Sequence, residues 1–182
     1  MDTWATACAA RVPPPPPQGT TSASSPACST PSAPCIDRDR VFATGFSMGG
    51  YFSHHLGCAG PPVIRAIAPH SGGTYPGDCD DAPMPVMILH GDADPLISPS
   101  CGEAAAQEWL RRDGCPAGAP LEVPVAGGTC AVVTGCTDGS SVTWCSFEGM
   151  DHGWAGSDDW LYGGGTRYED AAELAWSFFA GF

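Results

Sequence analysis

Five residues, Gly45-Phe46-Ser47-Met48-Gly49, follow the apolar run Val41-Phe42-Ala43. They match G-x-S-x-G, the nucleophile elbow, in which a strand turns sharply into a helix. Such a turn puts Ser47 in strained dihedrals and lifts its hydroxyl clear of the sheet. A Cβ at Gly45 or Gly49 is expected to collide with the neighbouring strand or helix. The Met48 N–H, at the new helix's N-terminus, is aimed at a developing oxyanion. A helix over 50–56 completes the pattern.

The rest of the chain reads as an alternation. Strands are predicted over 41–46, 63–69, 85–89 and 141–147, the last returning from a hairpin through Asp138-Gly139. Helices are predicted over 100–112 and 168–179, the first with Ala104, Ala105, Glu108, Trp109 and Arg112 at helical spacing. Strand and helix in turn mean an α/β fold: a mostly parallel sheet flanked by helices.

A serine nucleophile needs a base and a group to orient that base. In this order of elements the acid and then the histidine follow the serine. The segment His90-Gly91-Asp92-Ala93-Asp94 leaves the strand Val86–Leu89 at the sheet edge where Ser47 sits, the edge at which open α/β sheets bind ligands. Asp94 is favoured over Asp92 as the acid; both could instead cap the helix that begins near Ser100. Of five histidines, His54 and His55 lie on the helix after the elbow, too near Ser47 to swing back. His70 ends a strand and His90 shapes the acid turn. His152, in Gly149-Met150-Asp151-His152-Gly153-Trp154, lies between the last strand and the last helix and is favoured as the base. Ser47, His152 and Asp94 would then cleave an ester through an acyl-enzyme.

Charge and cysteine content narrow the partners. The net charge is −13, with seven arginines and no lysine. So acidic a surface repels nucleic acid and anionic membranes. No apolar run approaches the roughly 18 residues of a membrane span. Ten cysteines without a C-x-x-C pair suit disulfides in an oxidising compartment rather than zinc. Cys136–Cys145 across the hairpin is the first pairing expected and Cys58–Cys79 the second.

With these residues in place, the stretch Asp37 to Gly50 resembles the elbow of the polyhydroxybutyrate depolymerase and feruloyl esterase group of secreted α/β-hydrolases. The resemblance continues through His90 to Ile97, Trp109 to Cys115 and Gly149 to Trp154, and covers roughly residues 35–160. It implies an α/β-hydrolase fold, a secreted serine esterase with disulfides and no cofactor or metal, and a triad of Ser47, Asp94 and His152. The implied substrates are short polyester chains, or feruloyl or acetyl esters on plant polysaccharide, including polymeric ones. Members of the group carry further strands ahead of the elbow and an H-G loop that gives a second oxyanion donor. Here the two His-Gly pairs, His90-Gly91 and His152-Gly153, fall in the loops of the candidate acid and base.

Residues 1–34 contain five consecutive prolines, Pro13–Pro17, and a Ser/Thr/Ala/Pro run. They read as polyproline II and disorder, ahead of a partial catalytic domain over 35–182. A mucin-like linker and the product of a shortened or frame-shifted gene are the two readings, and the second is favoured. Met1–Ala10 lacks the features of a signal peptide. The strand Val41–Phe46 would be left with one flank unpaired, an edge that invites self-association, and the chain could then be an inactive fragment. Trp154 and Tyr162 either line an aromatic acyl pocket or pack. Asp78, Asp80 and Asp81 read as a solvated loop rather than a calcium site. A polysaccharide-binding module using its tryptophans is the non-catalytic alternative.

Overall fold

A computed structural model describes residues 36–59, 62–74, 79, 82–159 and 163–182. The elements are β1 (Val41–Phe46), α1 (Met48–Ala59), β2 (Ile64–His70), β3 (Val86–Gly91), α2 (Pro99–Arg112), β4 (Leu121–Val125), β5 (Gly128–Val133), β6 (Val142–Phe147), β7 (Trp154–Ala155), β8 (Gly163–Gly165) and α3 (Ala171–Phe179). One six-stranded sheet has the order β1-β2-β3-β6-β5-β4, and β7 and β8 form a small parallel pair. Strands β1, β2, β3 and β6 are parallel, and the hairpin β4–β5 joins β6 antiparallel.

The parallel strands are the apolar runs of the sequence. All six residues of β3 are buried, as expected of a strand covered on both faces. One face packs Ile67, Val86, Ile88 and Val142 against Ala105, Ala106 and Trp109 of α2. The other packs Ala68, Leu89, Cys145 and Phe147 against Ala171, Ala175 and Phe179 of α3, and Phe42 stacks on Phe179 with ring centroids 4.6 Å apart. Trp109 Nε1 donates to His54 Nδ1 at 3.1 Å, tying α2 to α1. Burial pushes His54 down to about 3, so its ring stays neutral there.

Several boundaries differ from the sequence reading. The helix after the elbow is longer at both ends than 50–56. The last helix starts at Ala171 rather than residue 168, because the Asp170 carboxylate accepts from the N–H groups of Ala172 and Glu173 and fixes the start there. The hairpin β4–β5 is not foreseen by the reading, while the β5–β6 return through Asp138 and Gly139 is; both of those residues have positive φ.

The expected pairing Cys136–Cys145 is wrong. Cys145 lies directly opposite Cys130 in the β5–β6 register and pairs with it, Cα atoms 4.0 Å apart. Cys136 has passed the end of β5. The neighbouring Thr137 N–H donates to Asp113 O at 2.8 Å, which brings Cys136 to Cys115, its partner. Cys58–Cys79 forms as expected.

Candidate active site

The carboxyl ends of β1, β3 and β6 carry the three loops that meet at the site. Ser47 occupies the turn from β1 to α1 with φ of 55°, a left-handed conformation that a non-glycine residue adopts only when its surroundings impose it. Its N–H donates to His70 O at 2.9 Å and its carbonyl accepts from the Tyr51 N–H at 3.1 Å. The turn is tight because a Cβ at Gly45 would lie 2.5 Å from Gly49 O. The expectation for Gly49 itself is wrong: a Cβ there meets nothing within 4 Å. The second crowded position is Gly50, whose Cβ would come 2.6 Å from His70 O.

Asp94 is buried in the loop after β3. Its Oδ1 accepts from the N–H groups of Leu96 and Ile97, both at 2.9 Å. Its Oδ2 accepts from His152 Nδ1 at 2.7 Å. The Ser47 hydroxyl donates to His152 Nε2 at 3.0 Å. The tautomer follows from these contacts: only Nδ1 faces a carboxylate, so Nδ1 holds the proton and Nε2 is free to accept. Burial, and second the charge of Asp94, push the nearby Tyr51 hydroxyl up.

Asp92, the alternative acid, serves elsewhere: its Oδ1 accepts from the Gly149 N–H at 2.6 Å and ties the histidine loop to the acid loop. Gly91 lets those loops touch, since a Cβ on it would lie 2.2 Å from Met150 O. His70 is wholly buried behind the site. Its Nε2 accepts from the Ala155 N–H at 3.3 Å and its Nδ1 donates to Ser71 Oγ at 3.0 Å. Burial above all pushes it down to about 3. His70 therefore holds β7 as a neutral ring.

Trp154 is half-buried. It stacks on His70 at 5.1 Å and stands edge-on to Phe46 at 6.5 Å. Phe46 in turn lies 4.7 Å from the His152 ring. Tyr162, Asp78, Asp80 and Asp81 lie outside the described residues. Met48, Phe52 and Leu96 expose apolar side chains from α1 and the acid loop. Among the described residues no group of three or more His, Cys, Asp or Glu could hold a metal ion, and no helix is long and apolar enough to cross a membrane. Sequence reasoning left the anchoring roles of Asp92 and His70 unassigned; the dipeptide His90-Gly91 and the strand-end position of His70 were the only signals for such supports.

No family model matches the chain. Among curated proteins it is 32% identical over 152 residues to feruloyl esterase D of Neurospora crassa, covering 81% of this chain and 50% of that protein. It is 33% identical over 152 residues to a probable feruloyl esterase C of Aspergillus terreus, covering 81% of this chain and 52% of that protein. The chain thus spans about half the length of the curated relatives it matches. Among solved structures, an acetyl xylan esterase from Aspergillus awamori superposes with a TM-score of 0.51 at 16% identity, covering 64% of this chain and 55% of that one, a likeness of fold.

Proposed function

We propose that this chain, an α/β-hydrolase fold with feruloyl esterases among its relatives, is a serine carboxylic-ester hydrolase working through an acyl-enzyme on Ser47. One observation carries the reading: the continuous relay from Ser47 Oγ through His152 to Asp94, at 3.0 and 2.7 Å. It sits on a positive-φ turn at the carboxyl edge of a parallel sheet.

The chemistry follows from the tautomer. As Ser47 Oγ attacks the ester carbonyl carbon, its proton passes to His152 Nε2. The imidazolium so formed keeps its Nδ1–H on Asp94, whose charge stabilises it. The developing oxyanion falls near the N-terminus of α1, where the Met48 N–H has no intrahelical acceptor and the helix dipole favours negative charge. The tetrahedral intermediate collapses, the C–O bond breaks, and His152 returns the proton to the leaving alkoxide. A water molecule, deprotonated by His152, then releases the acid and restores Ser47.

The names of the relatives favour feruloyl or acetyl esters of plant polysaccharide over polyester chains as substrate. Trp154, beside Phe46 and His152, is the aromatic wall assigned to the acyl group. The disulfides suit an extracellular setting. Hydrolysis of p-nitrophenyl acetate and methyl ferulate by the oxidised chain, beside Ser47→Ala, tests the reading. The variant should lose about 10⁴-fold or more in kcat; equal rates in the two proteins would sink it.

A further inference from the structure

His90, the last but one residue of β3, has a side chain fully shielded from solvent. Its Nε2 faces two acceptors, Ile97 O at 3.0 Å and Asp94 Oδ2 at 3.3 Å. Neither a carbonyl nor a carboxylate can donate, so Nε2 carries the proton. The other nitrogen, Nδ1, is buried without a hydrogen-bond partner. It lies against α2, where a Cβ on Gly102 would come 2.7 Å from it, and the ring tilts against Trp144 at 6.1 Å. Protonating Nδ1 would create a buried N–H with no acceptor, an unfavourable state of about 1–3 kcal/mol or more. Burial pushes the ring's pKa down, against the pull of Ile97 O and Asp94. His90 is therefore a donor that stays neutral.

We propose that His90 is a positioning residue: its Nε2–H, bonded to Ile97 O, is shared with Asp94 Oδ2, the same oxygen that holds His152. This rests on the esterase reading for its role and on geometry for its existence. A lysine or arginine in that place would cancel the Asp94 charge that the imidazolium needs. A neutral donor fixes the rotamer of Asp94 and draws off only part of the density of Oδ2. The Ile97 peptide closes the arrangement, giving its N–H to Asp94 Oδ1 and its carbonyl to His90. Around His152, Asp94 from the acid loop accepts from Nδ1, His90 from β3 and His70 from β2 lie within electrostatic reach, Tyr51 from α1 is in reach of Asp94, Asp92 holds the Gly149 N–H of the same loop, and Asp151 is exposed beside it in sequence.

The sign of the effect is fixed. Without the second donor, Oδ2 becomes more basic and the His152 imidazolium is better stabilised in the free enzyme. His90→Leu should therefore move the acid limb of kcat/KM to higher pH and lower kcat about tenfold as Asp94 loses a contact. His90→Gln, whose amide can donate to the same two oxygens, should bring the acid limb back toward the wild type. An unmoved acid limb in the leucine variant, or equal profiles in both variants, overturns the proposal.

Nitrogen NMR of the wild-type chain tests it without relying on folding of a variant or on turnover. It should show His90 as the neutral Nε2–H form at pH 7. A His90 that is charged there, or carries its proton on Nδ1, overturns the proposal. A chain with the expected His90 signature but no ester hydrolysis would instead count against the esterase reading alone.

Discussion

Asp94 and Asp113 stand at opposite ends of α2, both buried, and are served differently. Asp94, at the carboxyl edge of the sheet, faces four donors: Leu96 N, Ile97 N, His152 Nδ1 and His90 Nε2. Asp113, at the amino edge where β3 and β6 begin, accepts from Met84 N at 3.4 Å and Ser140 Oγ at 3.1 Å. Burial outweighs those two bonds and Arg112, and its pKa is pushed up to about 6. The comparison teaches that burial alone does not make a carboxylate useful. A carboxylate meant to hold charge is surrounded by donors, and one with few of them becomes a proton acceptor near neutral pH.

The sharpest way to break the contrast is to remove each charge in turn. Asp94→Asn should lower kcat about 10⁴-fold, because the amide favours the wrong tautomer of His152. Asp113→Asn should leave kcat within about twofold, since the side chain of Asp113 bonds to Met84 and Ser140 and not to Ser47, Asp94 or His152. Steady-state kinetics on both variants decides it; comparable losses would mean that the two ends are not separate.

A smaller effect separates the loops that hold the two ends. Gly91→Ala would drive a Cβ to 2.2 Å from Met150 O, so the acid and histidine loops must part, at a cost of about 1–3 kcal/mol or more. Gly114→Ala, at the Asp113 end, meets the flexible Thr137 Oγ1 at 2.7 Å and has φ of +57°, a strain of about 1 kcal/mol. Urea midpoints should fall further for the first, and only the first should also lose activity.

The pH dependence of stability sharpens the comparison from the Asp113 side. Its folded pKa of about 6 lies above the ordinary 3.8. The contribution is fully present below the unfolded value and is lost as pH rises through about 6. The melting temperature of Asp113→Asn relative to the parent should therefore climb between pH 4 and pH 7. A constant difference across that range would show that Asp113 does not titrate there. The smallest effect belongs to Gly49→Ala: with open space around the new Cβ and Ala favoured over Gly in a helix by about 1 kcal/mol, it should fold at least as stably as the parent.

What the sequence disclosed was local or ordered along the chain. The turn at Ser47, and the placing of Asp94 after β3 and His152 after β6, were legible because each is a short signal at a strand's end. The hairpin β4–β5 was not. Leu121–Val125 alternates Leu, Val and Val with Glu122 and Pro124, but it is only five residues long, carries a proline and lies largely exposed at the sheet edge, which weakens it as a strand signal. The cysteine pairing failed because register, not spacing, decides it: Cys145 faces Cys130 across β5–β6. Gly49 failed because the pattern was read as two crowded glycines, whereas Gly45 and Gly50 are the crowded ones. The supporting role of His90 needed the three-dimensional placement of Asp94 Oδ2.

The Ser47–His152 contact closes a span of 105 residues and the His152–Asp94 contact one of 58. Closing loops of that length is entropically unfavourable until β1, β2, β3 and β6 are already side by side. On the proposed esterase reading, turnover reports on assembly of the whole parallel sheet. During refolding it should return no earlier than the circular dichroism of the helices, and during denaturation it should vanish no later. A partly ordered chain would be spectroscopically visible and chemically silent, so catalytic competence serves as a clock for the last step of folding.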